Sequence, residues 1–167
     1  MKKLLVAIGV IVLMVWTACT TNSDDVVAEA APLNQLVIDE PGYKMNIMMP
    51  EEYIGRLDKC TSYDHDLGQL NIQVDDKFAM EIKQGTTSLK EMKNNLNNEQ
   101  LFTYQFSYET PQGFIYQSFL PDGSTYSANF IQLISVGDQK YTVKNAQGDY
   151  SLESIEKMQK AAKSICQ

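Results

Sequence analysis

The sequence predicts an α+β fold: an antiparallel β-sheet flanked by helices, built as a single compact domain behind a signal peptide and a flexible tether. Two observations carry that class. Apolar residues alternate at strand period, switch to helical period over residues 86–101, return to alternation, and end in a second helical stripe. Pro-Gly and Pro-x-Gly punctuation falls between the alternating runs at the short spacing of an antiparallel meander.

In chain order, Leu36 and Ile38, then Tyr43, Met45, Ile47 and Met49, alternate with mostly polar neighbours, and Pro41-Gly42 separates them as a turn. Pro50 followed by Glu51 and Glu52 predicts a short helix over 51–59, because proline and carboxylates suit a first helical turn. Leu70, Ile72 and Val74, then Phe78, Met80 and Ile82, predict further strand, with Asp75-Asp76 between them. Ser88 and Glu91 have the spacing of a capping box, and Leu89, Met92 and Leu96 form the apolar stripe of a helix. That helix should fray through Asn94, Asn95, Asn97 and Asn98, whose side chains compete for backbone hydrogen bonds.

The strongest strand signal follows. Phe102, Tyr104, Phe106 and Tyr108 are expected to share one face, most simply as core, with a carbohydrate-stacking platform through Tyr104 and Tyr108 as the alternative. Turns at 111–113, 121–123 and 137–138 then separate three returning strands. Ser151 as N-cap, Glu153 in the first turn, the stripe Leu152, Ile155, Met158, Ala162 and Ile165, and Lys157, Lys160 and Lys163 near the negative end define a terminal helix.

Residues 1–18 read as a signal peptide. Lys2 and Lys3 precede an apolar run of about thirteen residues, roughly 20 Å as a helix, whereas a bilayer span needs about twenty residues. Small Ala18 before Cys19, with Thr20, Thr21, Asn22 and Ser23 after it, resembles a bacterial lipobox. That resemblance implies cleavage before Cys19 and acylation of its sulfur and new amino terminus, which exceeds the two signals stable attachment requires. Residues 19–35 form the lipidated cysteine and an acidic tether, and 36–167 the domain. By resemblance to known sorting signals, Thr20 implies outer-membrane delivery, with Asp24-Asp25 leaving both the periplasmic face and the cell surface open.

The formal net charge is −7, and losing Lys2 and Lys3 with the leader makes it −9. Such a surface repels phosphates, so nucleic acid is not an expected partner. With Cys19 acylated, Cys60 and Cys166 remain in an oxidising compartment, where a disulfide between them is expected; two separately buried thiols are the alternative.

The passage from Phe78, Met80 and Ile82 into Thr-Ser-Leu-Lys-Glu-Met-Lys, the meander ending in Tyr141-Thr-Val, and the final Ser-Leu-Glu-Ser-Ile-Glu-Lys-Met helix together resemble the PsbP-like fold family. That group includes the extrinsic photosystem subunit, the import factor Mog and DcrB-type envelope lipoproteins. The resemblance implies a non-enzymatic accessory domain and carries over no functional residue.

Other clusters have plain readings. Asp64-His65-Asp66 with Asp75 and Asp76 offers metal-ligand chemistry, but an EF-hand register from Asp64 puts Gln69 where glycine is needed, and a solvated turn is expected. Met45, Met48 and Met49 could suit a soft metal, but alternation assigns Met45 and Met49 to the core. No nucleophile elbow, zinc-protease motif or phosphate-cradling loop is present, so no enzyme, no cofactor and no metal are expected. The expected function is a membrane-anchored envelope lipoprotein whose domain binds another envelope protein, with a small-ligand or glycan-binding surface lipoprotein as the alternative.

Overall fold

The computed structural model describes residues 34–167. The leader and Cys19, and therefore the lipidation reading, lie outside the described residues. Strands β1 (Gln35–Glu40) and β2 (Tyr43–Met48) form a separate hairpin, and a single 3-10 turn (Glu51–Tyr53) follows. Strands β3 (Thr61–Asp64), β4 (Gln69–Gln73) and β5 (Ala79–Gln84) precede helix α1 (Leu89–Asn97). Then come β6 (Thr103–Thr110), β7 (Gly113–Phe119), β8 (Thr125–Val136), β9 (Gln139–Asn145) and helix α2 (Leu152–Lys163). The main sheet is antiparallel in the order β3-β4-β5-β9-β8-β7-β6.

This order explains where the helices lie. The chain leaves β5 in mid-sheet and resumes at edge strand β6, four strand spacings or roughly 19 Å away. α1 makes that crossing over one face. The meander then steps back until β9 pairs with β5, and α2 closes the opposite face.

Directly paired residues share a face of a sheet. On the first face lie Leu70, Ile82 and Val143 in one row and Ile72 and Met80 in the next, with Phe130 opposite Ile115. All are buried in one core with α2 residues Ile155, Met158 and Ala162 and with the inward side of the hairpin, Leu36, Ile38, Met45, Ile47 and Met49. Met48 points the other way and is partly exposed, as alternation requires. Two hydroxyls staple the hairpin to the sheet: Tyr43 donates to the Gly68 carbonyl and Tyr141 to the Gly42 carbonyl, both at 2.8 Å. Gly42 takes φ +83 after Pro41, the pairing a type II turn requires.

Two expectations are corrected here, and one strand was missed. The helix over 51–59 ends after one turn, because Ile54 is extended and Gly55 adopts φ +79. Strand β3 was not legible, since its residues show no apolar alternation. No disulfide joins Cys60 and Cys166. Different layers hold them: the Cys60 carbonyl accepts from Gln73 of β4, whereas the Cys166 backbone pairs with Asn46 of β2. Cys60 is a buried thiol, and burial raises its pKa.

Candidate ligand-binding face

The second sheet face is the one α1 crosses, and it is incompletely covered. α1 has nine residues and buries none of them; Met92 and Leu96 are only half-buried. A helix this short is marginal unaided, and specific contacts hold it. Ser88 Oγ accepts from the Glu91 amide at 3.3 Å, the first half of the expected capping box. Lys93 Nζ sits 4.7 Å from the Phe106 ring centroid and 5.5 Å from that of Phe114, and it pairs with Glu109 of β6. As the asparagines foretell, the helix stops at Asn97.

Between α1 and the sheet runs a groove of about 450 Å³, lined on the helix by Met92 and Leu96, on the sheet by buried Ile131, and at its rim by Glu91, Glu99 and Lys144. Lys144 is paired with Glu81 at 3.0 Å. Two other hollows have similar volumes, about 410 Å³ beside Met48 and Glu52 and about 520 Å³ beside Tyr150 and Glu153. Lys157 lines both and is already engaged with Glu52 and Glu153, whereas the α1 groove sets Met92, Leu96 and Ile131 among polar groups.

Glu99 connects the groove to an aromatic strip, because its carboxylate accepts from the Tyr104 hydroxyl. The strip continues through Tyr116, 6.1 Å from Tyr104, and through Phe102, which stacks on Tyr126 at 4.7 Å and 30°. Burial, with Glu99 behind it, raises the pKa of Tyr104, and the same two causes raise that of Tyr116. Beside the rings Ser118 and Ser127 share a 2.6 Å hydrogen bond, and Asn129 Nδ2 donates to Ser127 Oγ at 3.0 Å.

The expected four-ring face is corrected. Tyr104 and Phe106 are on this side, but pairing slips by one residue between Ser107 and Thr110, and Tyr108 takes φ +50 within the slip. Tyr108 lies against α2 beside Glu156, whose carboxylate raises its pKa. Tyr104 and Tyr108 therefore occupy opposite faces and make no joint platform. None of the row is fully buried, so it is not core either. Phe102 was legible as its neighbour; Tyr116 and Tyr126 were missed, since only strand pairing brings them alongside.

The acidic cluster divides as well. Asp64 Oδ1 accepts from the Asp66 and Leu67 amides at 3.0 Å, closing the β3–β4 turn, and His65 sets its edge on Tyr63. Asp75 pairs with Arg56 beyond the far end of β4, roughly 17 Å of strand away. No group of three metal-ligating side chains converges among the described residues, and none of their helices is long and apolar enough to cross a membrane.

No family model, curated protein or solved structure matches the chain. No match supports the expected PsbP-like and lipoprotein identities, and both are withdrawn as identities.

Proposed function

We propose that the chain is a non-enzymatic binding domain of the cell envelope, held at a membrane through Cys19, that takes a small ligand or glycan on the face crossed by α1. The groove of about 450 Å³ carries the reading, being of the size and mixed apolar-polar character of ligand sites. A helix without buried residues can shift at little cost, which suits it to closing over a guest. Membrane attachment rests on the residues around Cys19 alone.

A second reading, docking of a partner protein, draws support from exposed Leu101, Leu120 and Tyr126, which pairing and turns gather near one end of β6, β7 and β8. Native mass spectrometry of the full-length chain extracted gently from membranes separates the two. A co-purifying non-protein ligand, lost in Leu96→Lys, supports the first. A reproducible protein complex insensitive to Leu96→Lys, with no such ligand, overturns it in favour of the second. Cys19→Ala should release a folded chain from the membrane; retention after carbonate washing would remove the anchoring part of the proposal.

A further inference from the structure

The chemistry of the strip beside the groove narrows the ligand class, on the reading that this face is the binding face. We infer that Phe102, Tyr104, Tyr116 and Tyr126 form a platform for an uncharged glycan chain. The rings are half-buried or exposed, Tyr126 at 59 %, yet they are ordered against one another, with Phe102 and Tyr126 nearly parallel. An aromatic face carries partial negative charge, which attracts the polarised C–H faces of a pyranose. Phe102 and Tyr126 turn one face towards each other, so a pyranose would meet the outer faces of that pair and the tilted Tyr104 and Tyr116, with little further ordering on binding.

The polar groups alongside set the charge of the guest. Ser127 and Asn129 are neutral, and Asn129 gives one amide hydrogen to Ser127 while retaining a second. Ser127 Oγ is shared between Ser118 and Asn129, and Asn129 Oδ1 accepts from Asn145, so the second amide hydrogen of Asn129 is the group left to donate to a sugar oxygen. The cations beside this face are already engaged: Lys93 lies over Phe106 and Phe114 and is paired with Glu109, and Lys144 in the groove is paired with Glu81. Glu99, the carboxylate at the strip, repels acidic sugars. An anionic glycan therefore lacks a counter-charge here, and the chain's net charge of −7 opposes it at long range.

Affinity electrophoresis and calorimetry of the full-length chain test this, with β-glucan, mannan and galactan as neutral probes and polygalacturonate and heparin as acidic ones. At least one neutral polymer should bind and neither acidic one should. Phe102→Ala and Tyr126→Ala should each weaken binding about two- to tenfold, the range of one ring contact. Because Tyr126 is exposed, its variant should keep the parent thermal midpoint, so weaker binding is not mistaken for unfolding. The inference is overturned if no neutral polymer binds, if the acidic polymers bind as well or better, or if the ring variants bind unchanged. A non-protein ligand still lost in Leu96→Lys but indifferent to Tyr126→Ala would leave groove binding standing and remove the glycan strip alone.

Discussion

Lys93→Ala is expected to loosen α1 without unfolding the domain. The ammonium faces two rings, at 4.7 and 5.5 Å, and is paired with Glu109, while the helix contributes no buried residue to hold itself down. A cation over an aromatic ring contributes about 0.5–2 kcal/mol according to its exposure. The ion pair, with Lys93 28 % and Glu109 53 % exposed, adds about 0–1 kcal/mol. Together they imply a loss of about 0.5–3 kcal/mol from the closed position of α1, a roughly 2- to 160-fold rise in local opening. Native-state hydrogen exchange reads this directly: α1 amides should lose that much protection, while amides of β5, β8 and β9 keep theirs. Glu109→Gln removes only the ion pair and should cost at most about 1 kcal/mol. Unchanged α1 exchange in Lys93→Ala, or an equal loss throughout the sheet, would refute the view of α1 as a separately opening cover.

Three further outcomes are expected. Tyr43, Tyr104, Tyr116 and Tyr141 all have raised pKa values, chiefly from burial, so above about pH 10 the unfolded state loses protons that the native state keeps. Their contribution is complete below that pH, and denaturation midpoints should fall as pH rises past it; a midpoint flat into strong alkali would contradict the burial of these hydroxyls. Gly113→Ala should destabilise by at least about 1–3 kcal/mol, because a Cβ there would lie 2.3 Å from the Ile131 carbonyl oxygen; urea denaturation checks it. Cys60, buried and with a raised pKa, should resist iodoacetamide in the native protein and react on unfolding without prior reduction; a requirement for reductant would restore a bridge.

What the sequence disclosed and what it hid have a common cause. Alternation exposed Leu36 to Met49 and Leu70 to Ile82 as core because each such residue meets the same layer, and the caps at Ser88 and Ser151 are local chemistry. Both helices were therefore legible. Strand β3 was not, because its placement comes from pairing with β4 and from the Asp64 turn rather than from its own apolar pattern. The candidate site was half legible: Phe102, Tyr104 and the α1 stripe stood out, but the groove arises from the crossing of α1 over non-consecutive strands. Cys60 and Cys166 show the limit of counting thiols, since an even number does not bring two layers into register.

The slip at Tyr108 sets the length of the aromatic row on β6. A strand with side-chain parity two can extend an aromatic row only while its count is unbroken, and one additional residue reverses inside and outside from that point onward. β6 thus works as a ruler with a stop: it offers Tyr104 and Phe106 to one side, then hands its next ring to α2. Deleting Glu109 would restore the count and return Tyr108 to the side of Tyr104 and Phe106. The local backbone irregularity, more than the aromatic content of the strand, therefore limits how many rings β6 presents on one face.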